Sequence, residues 1–112
     1  MRIAIPTTNG QLCAHFGHCE EFTFVELDRE TKRITRTERV AAPAHEPGLL
    51  PRWLRGQGAD LVIAGGMGAR ARMIFAENGV EVIAGAAEAQ PEELATSYAN
   101  GTLELGENVC DH

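Results

Sequence analysis

Short apolar runs of strand length come first in this chain, and stretches of helical period come later. Arg2 to Pro6 is a short apolar run, closed by Pro6 and the turn signal Asn9-Gly10. Glu21 to Asp28 is rich in β-formers with apolar residues on both faces, as an interior strand requires, and Asp28 to Lys32 makes a polar turn. Arg33 to Val40 alternates threonine with charge, the pattern of an edge strand kept from pairing with other chains. After the loop Ala41 to Gly48, a helix is predicted from about Gly48 to Gln57. It has Leu50, Trp53 and Leu54 on one face, Pro51 in its first turn and Gly58 beyond its end. Leu61 to Ala64 is apolar throughout, as a parallel strand covered on both faces should be. Gly65-Gly66-Met67-Gly68 leads into a second helix, with Ala71, Ile74, Phe75 and Asn78 at helical spacing and Gly79 at its end. Val80 to Ala84 is a fifth strand, and Pro91 opens a third helix carrying Leu94 and Tyr98 and closed by Asn100-Gly101.

The order of these elements restricts the topology. Three strands joined without helices form an antiparallel meander, and two strands that follow helices are right-handed parallel crossovers. Placing the fourth strand beside the first gives a five-stranded mixed sheet of order 3-2-1-4-5, with strand 2 antiparallel and helices on both faces. The expected fold class is therefore α/β, a three-layer α/β/α arrangement of the ribonuclease H-like kind. Residues 1–101 make one domain and residues 102–112 a tail. The tail has no clear period, and Glu104 and Glu107 leave it little apolar surface, so it is expected to be mobile without a ligand. In this topology the loops after strands one, three and four share one edge of the sheet, where open α/β sheets bind ligands.

Composition adds exclusions. A chain of 112 residues with 44% hydrophobic and 23% charged residues is one ordinary globular domain. Its longest apolar run, Leu61 to Ala69, is too short to cross a bilayer, and Met1 to Pro6 lacks the form of a signal peptide, so no membrane role is expected. Three cysteines cannot all pair, which suits thiols in a reducing cytoplasm. The net charge of −6, with only Lys32 and nine arginines as cations, repels phosphate backbones and argues against nucleic acid as a partner.

The chemistry is concentrated in Cys13-Ala14-His15-Phe16-Gly17-His18-Cys19, where four of seven side chains can ligate a soft or borderline metal. Cys110-Asp111-His112 repeats the Cys-x-His pairing at the other end of the sequence, and His45 opens the Pro/Gly loop after the third strand. One such residue would be an ordinary core cysteine or turn histidine; the grouping favours metal ligation. The spacing matches no standard zinc-finger or ferredoxin signature, so it does not name the metal. Gly65, Gly66, Met67 and Gly68, with Arg70 behind them, place glycines between a strand and a helix start, where backbone N–H groups can meet an anion. A tight packing turn would use the same residues, and core packing is the plainer role for Met67. Gly66-x-Gly68-x-x-Ala71 is a weak dinucleotide fingerprint, with no acidic residue at the end of the next strand to hold a ribose. Asp28, Asp60 and Asp111 are too scattered for a two-metal nuclease, and Cys19 with His15 lacks an orienting acid for a hydrolase.

Several of these segments together resemble the dinitrogenase iron-molybdenum cofactor biosynthesis family, across nearly the whole chain. The likeness rests on Ile3-Ala4-Ile5-Pro6, on His15-Phe16-Gly17 followed by Phe22, and on Ala64 to Gly68 with Arg70-Ala71 and Phe75 behind. His45 to Gly48, Leu50-Pro51, Trp53-Leu54 and the ending Gly106 to His112 are similar to a small single-domain branch of it. The resemblance implies a ribonuclease H-like fold and a non-catalytic carrier or scaffold for an iron-sulfur or molybdenum-iron cluster. It also suggests ATP-dependent iron-sulfur carrier proteins as partners. Thiolate and imidazole donors suit zinc as well, which makes zinc a possible substitute for the cluster. The alternative from another class is a small metalloenzyme or a zinc-stabilised binding module.

Overall fold

The computed structural model describes residues 1–14, 16, 19–43 and 48–106. Six strands and three helices follow one another as β1 (Arg2–Thr8), β2 (Gln11–Leu12), β3 (Glu21–Leu27), β4 (Ile34–Ala41), α1 (Leu49–Gly56), β5 (Leu61–Ile63), α2 (Ala69–Glu77), β6 (Glu81–Ile83) and α3 (Pro91–Asn100). The sheet runs β4-β3-β1-β5-β6, with β2 paired to β1 off this path. β3 is antiparallel to both neighbours, while β1, β5 and β6 are parallel, so the sheet is mixed.

The expected count of five strands is corrected to six. The extra strand arises because β1 does not stop at Pro6. Met1 and Leu27 exchange both backbone bonds (3.0 and 2.8 Å), which fixes the alternation of the β1–β3 ladder. Pro6 then sits at a position that asks no N–H of it towards β3. On its other side Pro6 faces Cys13, whose N–H donates to Pro6 O at 2.9 Å, beyond the end of the pairing with β5 at Ile3 and Ala4. β1 therefore continues to Thr8, and Asn9 and Gly10, with φ of 56° and 80°, turn it back into β2. Two central residues at positive φ are the signature of the tight hairpin that Asn-Gly favours.

Each face of the sheet has its own core. Ala4, Phe22, Phe24 and Val62 meet Leu50 and Leu54 of α1 and Phe75 of α2 on one face. Ile3, Ile5, Val25, Leu61 and Ile63 meet Leu94 and Ala95 of α3 on the other. Alternation along β1 and β5 supplies both sets, and each fully buried large side chain contributes roughly 1.5–3 kcal/mol. Among the described residues the buried polar side chains are Thr7 and Thr23, whose hydroxyls hydrogen-bond across β1 and β3 at 3.0 Å. At the opposite end of the sheet Arg2 lies over the Phe24 ring and pairs with Glu38 at 3.2 Å, while its backbone N–H donates to Asp60.

Helix α3 has proline at its start, Glu92 and Glu93 in its first turn, and Gly101 at φ 71° after its end. Thr102 N–H then bonds Ser97 O (2.8 Å) and Gly101 N–H bonds Tyr98 O (3.1 Å), a Schellman closure that turns the chain back. The first part of the tail, residues 102–106, returns over the sheet. Leu103 packs on the second core, Leu105 bridges Ala86, and Gly106 N–H donates to Gly85 O at 2.7 Å.

The hairpin carries a test of how β1 reaches the next segment. Gly10→Ala places a side chain at φ 80° and is expected to cost about 1–2 kcal/mol, read as a lowered midpoint in chemical denaturation. Amide exchange at Leu12 and Cys13 is expected to quicken in the same variant.

Candidate metal centre

Cys13 and Cys19, both half-buried, stand at the two ends of the donor-rich loop, and both ends are fastened to β1. Cys13 N–H donates to Pro6 O at 2.9 Å, and Glu20 N–H donates to Thr7 O at 3.2 Å. The two fastenings lie on opposite edges of β1, because Thr7 faces Leu12 on one side and Glu21 on the other. The stems are thus about two strand spacings apart, roughly 10 Å. Between them Phe16 acts as a pin, its ring 5.4 Å from that of Phe75 and 6.1 Å from that of Phe22.

A third attachment comes from the glycine turn. Gly66 N–H donates to Ala14 O at 2.7 Å, and Phe16 N–H donates to Gly66 O at 2.9 Å. This close approach is possible because Gly65 has no side chain: a Cβ there would lie 2.7 Å from Ala14 O and 3.2 Å from Cys13 O. Gly65, Gly66 and Gly68 are not among the positive-φ glycines, and Gly68 has φ −67°, so backbone conformation is not what calls for glycine here. The Gly66 N–H is occupied by the loop instead of being offered to an anion. Met67 is 1% exposed and packs in the first core. Arg70 is exposed in the first turn of α2, a helix with no side-chain cap and no acidic residue in that turn. Its leading N–H groups and partial positive charge face the same edge as the loop.

The other loops join this edge through backbone bonds. Ala42 N–H donates to Glu20 O at 3.1 Å, so the loop that contains His45 leaves beside Cys19. Gly85 N–H donates to Gly65 O at 2.7 Å, and Gly106 docks on Gly85 in turn. Of the predicted ligands, Cys13 and Cys19 are brought to one edge. His15, His18, His45, Cys110 and His112 lie outside the described residues. Gly85 and Ala14 were not singled out from sequence. The available signal is the recurrence of Val-Ile-Ala-Gly at 62–65 and 82–85, a short repeat that the search for longer periods passes over.

The model of the family described as dinitrogenase iron-molybdenum cofactor matches residues 1–101. MJ0580, an uncharacterized protein of Methanocaldococcus jannaschii, is 33% identical over 85 residues, 73% of this chain and 72% of that protein. The crystal structure of PH0822 superposes with a TM-score of 0.87 at 29% identity, covering 96% of each chain. The apo form of the orange protein from Desulfovibrio gigas superposes with a TM-score of 0.69 at 18% identity, over 96% of this chain and 93% of that one, a likeness of fold alone.

Two kinds of variant separate donors from support. Cys13→Ser and Cys19→Ser are each expected to lower metal occupancy while circular dichroism and melting stay at the wild-type values. Gly65→Ala keeps every donor but drives a Cβ against Ala14 O, and is expected to weaken metal binding about tenfold or more. Gly56→Ala, at a glycine where an added Cβ meets nothing within 4 Å, serves as the control.

Proposed function

The chain belongs to the dinitrogenase iron-molybdenum cofactor family, and from this premise we propose that it is a non-catalytic carrier or scaffold for an iron-sulfur or molybdenum-iron cluster. The cluster is its cargo. The observation that carries the reading is the Cys13–Cys19 loop, fastened at both stems, pinned by Phe16 and tied to Gly66. Thiolates at the two stems of a loop fastened at these points suit soft metals, and fixing the stems in advance lowers the cost of binding.

The width of the site favours a cluster over a single ion. Sulfurs around one tetrahedral ion lie within about 4 Å of each other, given metal–sulfur bonds of about 2.3 Å. Stems roughly 10 Å apart are bridged more readily by a polynuclear metal sulfide. The cargo is anionic, and the chain carries a net charge of −6, so attraction has to be local. The uncapped start of α2, with Arg70 in its first turn, supplies it. The strand order supports assigning the fold to the ribonuclease H-like arrangement. We assign His15, His18 and His45 as further donors. In the cytoplasm, ATP-dependent iron-sulfur carrier proteins are the proposed partners for loading or unloading.

Anaerobic isolation followed by iron, molybdenum and acid-labile sulfide analysis tests this. A coloured, oxygen-labile protein containing metal and sulfide is expected, and loss of the colour in Cys13→Ser ties it to the loop. A colourless protein with one zinc per chain and no uptake of cluster would instead favour a zinc-stabilised module.

A further inference from the structure

The sheet has two edges, and the chain treats them differently. At one edge β4 carries Thr35, Arg36, Thr37 and Arg39 exposed, the polar and charged cover that keeps an edge strand from pairing with other chains. At the other, β6 reads Glu-Val-Ile, one charge followed by two half-buried β-branched residues. Its outer side is open. Glu81 N–H donates to Asp60 O, Ile83 O accepts from Ala64 N–H, and Gly85 N–H donates to Gly65 O, so alternate residues bond inward. Val82 and Ala84, which lie between them, turn their N–H and C=O groups outward, where no strand among the described residues pairs with them.

An apolar groove runs beside this edge between α2 and β6, lined by Met73, Ala76 and Val82 together with Arg72 and Glu81. Met73 is 64% exposed, the highest value for a large hydrophobic among the described residues. Open backbone groups and bare apolar surface thus lie side by side. A chain with a net charge of −6 repels its own copies except where the contact is locally balanced. Here Arg72 and Glu81 supply one charge of each sign.

We propose that this edge is a homodimer interface, in which β6 of one copy pairs antiparallel with β6 of a second. A two-fold axis at Ile83 sets Val82 of each copy opposite Ala84 of the other, and each such pair exchanges two backbone bonds. Glu81 then lies opposite Gly85, and the two Glu81 carboxylates do not face one another. Val82 and Ala84 both pack towards the first core, so the two α2 helices lie on the same side and Met73 of each covers the junction. The edges that bear the Cys13–Cys19 loops point in opposite directions, and both loops stay open. A strand of three residues beside a narrow groove makes a small interface, so the dimer is weak and reversible.

Sedimentation of the full chain from about 10 μM to about 1 mM, metal-free and with thiols reduced, reads the assembly, and amide exchange by NMR locates it. The dimer fraction is expected to rise with concentration. Exchange at the Val82 and Ala84 amides is expected to slow in step, while the amides of β4 stay unchanged. Met73→Gln keeps the charge and a good helix former at an exposed position, and is expected to raise the dissociation constant about tenfold or more. A chain that stays monomeric throughout this range overturns the proposal. So does a dimer that Met73→Gln leaves as tight and whose Val82 and Ala84 amides gain no protection, since it assembles through another face. Protection of these amides that is independent of concentration and lost on truncation after Gly106 would give the groove to the chain's own tail, and overturns the proposal equally.

Discussion

The site depends on one steric fact, the absence of a side chain at Gly65. The carbonyl of Ala14 occupies the space a Cβ would fill, and from that contact follow the bonds between Ala14, Gly66 and Phe16. A loop of polar and small residues has little apolar surface with which to fix itself. Here its position is set by backbone bonds to a sheet edge that two cores already hold rigid. The stability of the loop is therefore borrowed from the sheet.

The same economy of attachment runs along the whole edge. Ala42 bonds Glu20, Glu20 bonds Thr7, Cys13 bonds Pro6, Gly66 bonds Ala14, Gly85 bonds Gly65 and Gly106 bonds Gly85. Each segment that departs towards a candidate ligand is tied to the next by main-chain bonds, which carry no side-chain requirement. Side chains add to these bonds: Thr8 Oγ1 accepts from Glu20 N–H at 3.3 Å, and the contacts of Phe16 with Phe22 and Phe75 set the depth at which the loop rides on the first core.

Charge is divided between the two ends of the sheet. At the end where β1 begins, Arg2 stands among Glu26, Glu38 and Asp60, and this group is net acidic. At the opposite end α2 starts with no acidic residue in its first turn and Arg70 exposed there. A chain repulsive to anions overall thus keeps one place that is not.

The sequence by itself determined the mixed sheet, the helices and the grouping of donors. Period-2 and period-3.6 patterns report which face of an element is buried, and residues such as Pro91 and Gly101 mark helix ends through local backbone preference. It also placed the Cys/His loop after the first strand. It did not disclose β2, because whether Pro6 ends a strand depends on what lies beside it, and here β5 has ended and Cys13 N–H bonds Pro6 O instead. Nor did it disclose that the Ala14 carbonyl crosses Gly65, where a Cβ would lie 2.7 Å from its oxygen. The return of the tail to Gly85 was equally hidden, since Leu103 to Gly106 has no periodicity and is held by one bridge and one backbone bond. Patterns of side chains encode burial; close approaches between backbones distant in the chain are decided only when the tertiary structure brings them together.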